Sequence, residues 1–170
     1  MSLKSKQLDQ ETSLIFKNIK FIAFDFDGVF TDNSVYVSQD GKEMVKCSRY
    51  DGIGLKSLEN KGIRKIVISS EKNPLVRTRC KKIGIECYDS VQNKFSLLQE
   101  LIKNQNLNFS QVAFMGNDIN DLECLSEVGL PIVVKDCHPK LLKLARYVTE
   151  TLGGYGAVRE VCDHLTSQLG

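Results

Sequence analysis

The sequence is short of the residues that build metal clusters, redox pairs and disulfide frameworks. It has no tryptophan and two histidines, and none of its six cysteines belongs to a Cys-x-x-Cys pair. These absences argue against a zinc site or a disulfide scaffold. No uncharged stretch is long enough to cross a bilayer, so we expect neither membrane insertion nor export. We therefore expect the cysteines to be reduced and the protein to be cytoplasmic.

An excess of charge of either sign is also missing. The 23 lysines and arginines nearly balance the 21 aspartates and glutamates, and the formal net charge is +2. Such a balance gives no general field that attracts nucleic acid or an anionic membrane surface. We expect neither as a partner, and recognition should depend on a local site.

The length and the patterning favour one α/β domain. The 170 residues are 42% hydrophobic, which suits a single core. No repeat and no Pro/Gly/Ser-rich linker divides the chain. We expect residues 20–170 to form the domain and residues 1–19 to be a tail or lead-in segment, in which residues 1–13 have too few apolar side chains to pack firmly.

Short apolar runs alternate with helical patterns from Lys20 onward. This alternation predicts a largely parallel sheet flanked by helices. The predicted core strands are residues 20–26, 65–69, 111–115 and 131–134. The predicted helices cover residues 52–61, with Gly62 as a stop, and begin near Pro74, Lys94 and Asn120.

One segment departs from the alternation directly after the first predicted strand. Val35-Tyr36-Val37 and Met44-Val45 flank a stretch containing Asp40-Gly41, a pair typical of tight turns. The pattern predicts a β-hairpin within residues 35–47. A hairpin at this place could cover a site, contact another subunit or be a surface excursion.

Two carboxylates close the first predicted strand, within the run Phe24-Asp25-Phe26-Asp27-Gly28. Residues two apart on a strand point to the same face, so Asp25 and Asp27 should share a small space. They should emerge at the carboxyl end of the strand, where parallel sheets open a crevice, and Mg²⁺ would offset their repulsion. The alternative for either residue alone is a turn or helix-cap role.

Three further polar groups occupy equivalent places along the chain. Ser69 closes the second predicted strand, Lys94 opens a helix, and an Asn/Asp-rich loop at residues 116–121 follows the third strand. Each has an ordinary explanation alone, as a helix-entry residue, a solvated lysine or a turn. Together they place a hydroxyl, an ammonium and two acidic clusters at one edge of the sheet, which indicates a catalytic site.

These residues resemble the four motifs of the haloacid dehalogenase superfamily. Asp25 and Asp27 match the first motif, Ser69 the second, Lys94 the third, and residues 116–121 the fourth. The glycine-rich run at residues 153–160 is similar to one in the sugar-acid phosphate phosphatases of that superfamily. The resemblance extends from about Lys20 to the end of the chain.

The branch that the chain resembles is small and capless. It contains 3-deoxy-D-manno-octulosonate 8-phosphate phosphatase, nonulosonate 9-phosphate phosphatases and the phosphatase-like half of some acylneuraminate cytidylyltransferases. The resemblance implies a Rossmann-like sheet with a β-hairpin extension and no large cap domain. It also implies a homotetramer that assembles through the hairpin at residues 35–47.

The resemblance further implies a role for each matched residue. Asp25 would attack phosphorus to give an aspartyl-phosphate, while Asp27 would protonate the leaving alkoxide and then activate water. Lys94 and the Ser69 hydroxyl would hold the phosphoryl oxygens. The family binds Mg²⁺ through the nucleophile, the backbone carbonyl of the second aspartate and an acidic residue of the fourth motif.

The fourth motif departs from the family pattern, which commonly reads Gly-Asp-Asp where this chain reads Gly116-Asn117-Asp118. The amide oxygen of Asn117 can coordinate a cation without contributing charge. Asp118 or Asp121 could bind the cation instead, or balance it from behind. The departure also leaves open a non-catalytic assembly domain, although the presence of Asp25 and Asp27 argues against it.

The implied substrate is a sugar-acid phosphate. Residues 157–162 resemble the octulosonate enzymes, which favours 3-deoxy-D-manno-octulosonate 8-phosphate, whereas residues 69–73 resemble the nonulosonate branch. Ser70 is a further candidate for substrate binding. The sugar carboxylate could be bound by an arginine, and the candidates are Arg49, Arg77 and Arg159, although a surface role for each is equally open.

A different class of protein, the signalling receiver domain, also gathers carboxylates, a hydroxyl and a lysine at the carboxyl edge of a parallel sheet. The order along the chain separates the two classes. Here Lys94 precedes the acidic loop, and no aspartate ends a middle strand. We therefore favour a magnesium-dependent phosphatase.

Overall fold

The fold is built around an apolar strand that is buried on both sides. The structure is a computed structural model and describes residues 8–169. Its strands are β1 (Phe21–Phe24), β2 (Thr31–Val37), β3 (Glu43–Cys47), β4 (Arg64–Ile68), β5 (Glu86–Tyr88), β6 (Val112–Gly116), β7 (Leu130–Val133) and β8 (Tyr147–Val148). Six of them form one parallel sheet in the order β5-β4-β1-β6-β7-β8. Every side chain of β1 is buried, as a central strand covered on both faces requires.

Helices flank this sheet. They are α1 (Gln10–Asn18), α2 (Arg49–Ser57), α3 (Leu75–Ile83), α4 (Lys94–Asn104), α5 (Leu122–Glu127) and α6 (Ala157–Gln168). Local chemistry explains several of their ends: the Ser48 and Asn93 side chains cap α2 and α4, and Gly84 ends α3 with a left-handed φ of 69°. The sequence pattern and the observed layers therefore agree.

The register of the sheet determines where the site lies. Phe24, the last residue of β1, pairs with Val67 of β4 and Met115 of β6. Because the three strands run in the same direction, the residues that follow them leave the sheet at one edge. The predicted α/β fold, with a largely parallel sheet flanked by helices, is confirmed.

The four predicted core strands lie within two residues of the observed ones at each end. The edge strands β5 and β8 were missed, since three and two residues carry no readable periodicity. The first predicted helix, residues 52–61, lies too far toward the C-terminus. The observed helix, α2, starts earlier because Ser48 caps it. It ends before Gly62 because a turn through Asn60, with a φ of 68°, intervenes.

The amino-terminal segment packs more firmly than its composition indicated. The Asp9 side chain accepts the Thr12 N–H at 2.8 Å and starts α1, whose Thr12 and Phe16 are buried. The expectation of loose packing is wrong for residues 10–13, because Phe16 and Ile19 anchor the helix from beyond that range. The part of the tail prediction that concerns residues 1–7 lies outside the described residues.

The predicted hairpin is confirmed as an antiparallel pair of β2 and β3, separate from the main sheet. The Ser38 N–H donates to the Lys42 carbonyl at 2.9 Å, and Gly41 has a φ of 77°. No second domain is inserted anywhere in residues 8–169, so the absence of a large cap is confirmed for that range. Over the same range no helix is long and apolar enough to cross a membrane.

Candidate active site

Asp25 leaves β1 at the carboxyl edge of the sheet and stays buried there. Its N–H donates to the Met115 carbonyl at 2.9 Å, which extends the β1 and β6 pairing by one residue. Its Oδ1 accepts the Phe26 N–H at 2.7 Å and lies 2.7 Å from the ammonium of Lys94. Only 4% of the residue is exposed. The carboxylate is therefore held in one orientation by the backbone and by a cation.

Lys94 joins the first motif to the fourth. It is the first residue of α4, and its Nζ donates to Asp121 Oδ1 at 2.8 Å while it also contacts Asp25. Asp121 is fully buried, and its Oδ2 accepts the Asn117 N–H at 3.0 Å. A buried ammonium thus lies between two carboxylates, an arrangement that is stable only when all three groups are paired.

Burial shifts the protonation of this cluster. Burial, together with the negative charge of Asp121, raises the pKa of the Asp25 carboxyl to about 7 in spite of the adjacent Lys94. For Lys94 burial acts to lower the pKa, but the two carboxylates outweigh it and raise the pKa above its ordinary value. The ammonium is therefore charged, and a divalent cation beside Asp25 would lower the pKa of that carboxyl again.

Asp27 lies half-buried in the loop that leaves β1. The Thr31 hydroxyl accepts the Gly28 N–H at 3.0 Å and donates to Asp27 Oδ1 at 3.4 Å. Burial first, and then the negative charge of Glu71, raises the pKa of the Asp27 carboxyl. A raised pKa favours the protonated acid, which is the form that can donate a proton to a leaving group.

The fourth-motif residues divide between the interior and a cleft. Asp121 uses both oxygens inside the protein and does not line the cleft, whereas Asp118 is exposed and accepts the Ile119 N–H at 2.7 Å. Asn117 is 8% exposed and faces the cleft. The cleft measures about 320 Å³ and is lined by Asp25, Asp27, Asn33, Asn117, Asp118, Ile119 and Asn120.

The donors around the cleft suit a hard cation. In residues 8–169 no three His, Cys, Asp or Glu side chains come together as a metal site. The residues that line the cleft offer oxygen donors, among them Asp25, Asp27, Asn117 and the exposed Asp118. Oxygen ligands with few carboxylates fit Mg²⁺. The structure therefore favours Asn117 over Asp121 as the ligand from the fourth motif.

Ser69 and Ser70 close the other side of the site. Ser69 follows β4 and is 2% exposed; its hydroxyl oxygen accepts the Glu71 N–H at 3.1 Å, which leaves its hydrogen to donate elsewhere. The Ser70 oxygen accepts the Asn120 side-chain N–H at 3.3 Å. The second and fourth motifs thus meet across the edge of the sheet.

The three candidate arginines do not line the cleft. Arg77 pairs with Asp89 at 2.5 Å, Arg159 pairs with Asp163 at 2.7 Å, and Arg49 begins α2 with its side chain exposed. Among residues 8–169 no arginine lines the cleft. Their proposed role in binding a carboxylate stays a prediction.

Sequence reasoning missed a second cavity beside Asp27. It measures about 260 Å³, and its polar lining comes from Asp27, Asn33, Ser34, Glu43, Glu71 and Asn73. The Asn73 side-chain N–H donates to Glu43 Oε2 at 2.8 Å and ties the hairpin to the loop after β4. The predicted hairpin directly after the first strand was the signal that could have indicated these residues.

Known proteins resemble this chain over most of its length. A family model described as haloacid dehalogenase-like hydrolase matches residues 55–158. The 3-deoxy-D-manno-octulosonate 8-phosphate phosphatase KdsC of Salmonella typhi is 36% identical over 155 residues, which are 91% of this chain and 82% of that protein.

Two solved structures extend the comparison. The 3-deoxy-D-manno-octulosonate 8-phosphate phosphatase of Yersinia pestis is 33% identical with a TM-score of 0.90, and the match covers 94% of this chain and 87% of that one. The enzyme of the same name from Moraxella catarrhalis, solved with a magnesium ion, a phosphate ion and a KDO molecule, is 30% identical with a TM-score of 0.90. That match covers 95% of this chain and 93% of the other.

Proposed function

This chain belongs to the haloacid dehalogenase-like hydrolases, and we propose that it hydrolyses 3-deoxy-D-manno-octulosonate 8-phosphate. At a coarser level it is a phosphatase, a phosphoric monoester hydrolase of the sugar-acid phosphate branch. The observation that carries the proposal is the Lys94 ammonium, 2.7 Å from Asp25 and 2.8 Å from Asp121, at the edge where Asp27 also emerges. This arrangement orients a nucleophile, supplies positive charge and places an acid nearby.

Asp25 is the nucleophile in this proposal. Both hydrogen bonds described for its side chain fall on Oδ1, which leaves Oδ2 for in-line attack on phosphorus. A bond forms between that oxygen and phosphorus while the bond from phosphorus to the sugar oxygen breaks. Lys94 and the Ser69 hydroxyl hold the charge that spreads over the phosphoryl oxygens.

Asp27 transfers the protons. Burial and the charge of Glu71 raise the pKa of its carboxyl, which favours the protonated form that donates to the departing sugar oxygen. Once that proton has left, the Asp27 carboxylate accepts a proton from the water that attacks the aspartyl-phosphate. Phosphate then leaves, and Asp25 and Asp27 return to their initial states.

Mg²⁺ is the proposed cofactor, as in the Moraxella catarrhalis enzyme. Asp25, the Asp27 carbonyl and Asn117 would hold it, Asp118 also lines the cleft, and Asp121 would balance the charge from the interior. When bound, the cation supplies positive charge against the phosphoryl group.

A nonulosonate 9-phosphate is the second candidate substrate, because residues 69–73 resemble the nonulosonate branch. The cavity beside Asp27 contains Glu43, Glu71 and Asn73 but no arginine. These side chains suit the hydroxyl groups of a long polyol better than a carboxylate. The same cavity would bind the sugar part of either substrate.

One assay separates the two candidates. We would measure phosphate release from 3-deoxy-D-manno-octulosonate 8-phosphate, N-acetylneuraminate 9-phosphate and glucose 6-phosphate with Mg²⁺ under one set of conditions. We expect kcat/KM for the octulosonate to exceed the other two by at least about tenfold, a difference of about 1.4 kcal/mol. A preference for the 9-phosphate would show that a nonulosonate, not the octulosonate, is the substrate. Equal rates with glucose 6-phosphate would contradict the proposal that the protein is a sugar-acid phosphatase.

We also propose a homotetramer that assembles through residues 35–47 and a cytoplasmic location. Support for the first is the exposure of Val35, Tyr36, Val37 and Met44, each more than half exposed on the hairpin. Support for the second is the set of six free cysteines. Light scattering should give a tetramer for the wild type and a smaller species for Val37→Lys; a monomeric wild type would contradict the assembly.

A further inference from the structure

The glycine-rich run at residues 153–160 has no catalytic side chain, yet it packs against the loop that carries Asp27. We propose that Asp136 is a positioning residue. It holds Gly153 and Gly154 against this loop, residues 27–32, which we call the acid loop, and so fixes the position of the proposed general acid, Asp27. The inference rests on the proposed role of Asp27. It assigns a task to a residue outside the four motifs.

The contact between the glycines and the acid loop is made by backbone alone. The Gly154 N–H donates to the Val29 carbonyl at 3.0 Å. A Cβ on Gly153 would lie 1.9 Å from the Gly28 carbonyl oxygen, and one on Gly154 would lie 2.3 Å from the Asp32 nitrogen. Gly154 also has a left-handed φ of 73°. Any displacement of these glycines is therefore transmitted directly to the acid loop.

Asp136 supplies the side chain that holds this turn. It lies in the loop after β7, and its Oδ1 accepts the Gly153 N–H at 2.9 Å. Two residues later in the same loop, the His138 N–H donates to the Asn117 carbonyl at 2.7 Å. One loop therefore contacts the glycine turn with a side chain and the fourth motif with its backbone.

The acid loop is held from both sides as a result. On one side lie Gly153 and Gly154; on the other lies Asn117, whose side-chain nitrogen is 1.9 Å from where a Cβ on Gly28 would be. Asp136 itself is exposed and lines neither the cleft nor the second cavity. Its effect on the reaction can only pass through the backbone that it binds.

A third tie fixes the far end of the acid loop. The Lys46 ammonium lies 3.1 Å from Asp32 Oδ2 and 3.7 Å from the centre of the Tyr155 ring. Tyr155 directly follows the two glycines. The glycine turn is thus held at Gly153 by Asp136 and at Tyr155 by Lys46. Loss of the Asp136 contact should loosen the Gly153 end, which lies nearest Gly28 and Asp27.

The test compares Asp136→Ala with Asp136→Asn, because the amide oxygen of Asn can still accept the Gly153 N–H. Lys135→Ala, an exposed neighbour in the same loop, is the matched control. We expect Asp136→Ala to lower kcat/KM for the octulosonate 8-phosphate roughly tenfold, since small displacements of a catalytic group cost that much or more. Asp136→Asn and Lys135→Ala should stay within about twofold.

A second substrate identifies the acid as the displaced group. p-Nitrophenyl phosphate has a leaving group that needs no proton, so the Asp136→Ala loss in its kcat/KM should shrink to about twofold. Hydrogen exchange should also become faster in residues 28–32 of Asp136→Ala. Equal loss on both substrates, loss in Asp136→Asn, or unchanged exchange would each overturn the proposal. If Asp136→Ala does not fold, Asp136→Ser takes its place in the same comparisons.

A failure of the Asp136 proposal can be distinguished from a failure of the proposed function. If the wild type does not cleave the octulosonate, the proposed substrate is wrong, and the exchange measurement still tests the Asp136 contact. In that case the kinetic comparison uses whichever alkyl phosphate the wild type cleaves fastest.

Discussion

Buried carboxylates lie in two regions of the molecule, and the two regions differ in whether a cation contacts them. At the carboxyl edge of the sheet, Asp25 and Asp121 share the Lys94 ammonium at 2.7 and 2.8 Å. Between α2 and α6, Asp51 is fully buried, its Oδ1 accepts the Arg159 N–H at 3.1 Å, and its Oδ2 has no hydrogen-bond partner among residues 8–169. In the first region a cation lies in direct contact with the carboxylates, whereas among residues 8–169 no cation forms an ion pair with Asp51.

The difference reflects two kinds of task. The N-cap residue of α6 is Gly156, which has no side chain to cap the helix, and Asp51 of the neighbouring helix α2 supplies an acceptor to its first turn. A structural cap works as a neutral acid or as a carboxylate. In the proposed mechanism the edge cluster instead needs a permanent cation, because the Asp25 carboxylate would attack a phosphoryl group.

Removal of the shared cation should have the largest effect. Lys94→Met leaves Asp25 and Asp121 buried together with backbone N–H donors but without a cation, which makes the edge resemble the surroundings of Asp51. We expect turnover to fall at least about a thousandfold, and the free energy of unfolding to fall by roughly 3–5 kcal/mol. Phosphate release and urea unfolding measure these changes. Lys103→Met, on the exposed face of the same helix, should change neither; an undiminished stability in Lys94→Met would contradict the pairing.

The second prediction concerns the pH dependence of Asp51. Burial raises the pKa of Asp51 to about 6, against the opposing effects of the Arg159 N–H and Arg79. Because the folded pKa is above the unfolded one, protonation favours the folded state, and that stability is lost as the pH rises from about 4 through 6. Asp51→Asn cannot titrate. The free energy of unfolding of Asp51→Asn minus that of the wild type should therefore increase by roughly 2–3 kcal/mol as the pH rises from 4 to 7.

Urea unfolding at several pH values tests this, with exposed Glu59→Gln as the control that keeps the wild-type dependence. A difference between Asp51→Asn and the wild type that is constant with pH would show that Asp51 is not the buried acid that the geometry indicates.

The third prediction adds a charge to the edge cluster. Asn117→Asp supplies the carboxylate that the family resemblance leads one to expect in the fourth motif, so Mg²⁺ should bind about tenfold more tightly by calorimetry, a gain of about 1.4 kcal/mol. Asp118→Asn should change Mg²⁺ affinity less than about threefold, because Asp118 lies at the mouth of the cleft. The opposite order would make Asp118 the ligand.

The smallest effect should come from the Arg77–Asp89 ion pair, because solvent screens the arginine. The Arg77 side chain is 72% exposed, and the Asp89 side chain is 10% exposed. Arg77→Ala should change the free energy of unfolding by less than about 1 kcal/mol. Thermal unfolding checks this, and a loss comparable to that of Lys94→Met would mean that exposure does not separate the two kinds of pair.

The sequence could predict which residues of the candidate site lie together, because they occupy a recurrent place in the topology. Asp25, Ser69 and Asn117 follow three strands that run side by side, and Lys94 opens the helix that faces them. Parallel strands bring such residues to one edge whatever the details of packing.

Other features depend on contacts between distant segments and left no local signal. The cap from Asp51 to α6, the tie from Asp136 to Gly153 and the edge strand β8 each join segments that periodicity treats separately. For the arginines the sequence contained a signal that the contacts do not support. Arginine suits a carboxylate ligand, but Arg77 and Arg159 form ion pairs with Asp89 and Asp163 of the same chain.

The most direct test of the account is to find where the phosphoryl group goes. Protein mixed with substrate and quenched in acid would be reduced with borohydride, which converts an aspartyl-phosphate to homoserine, and the residue would be identified by peptide mass spectrometry. We predict homoserine at position 25, and for Asp25→Asn a folded protein whose turnover falls by at least about 10⁴-fold. Label at another residue, or wild-type turnover in Asp25→Asn, would contradict the account.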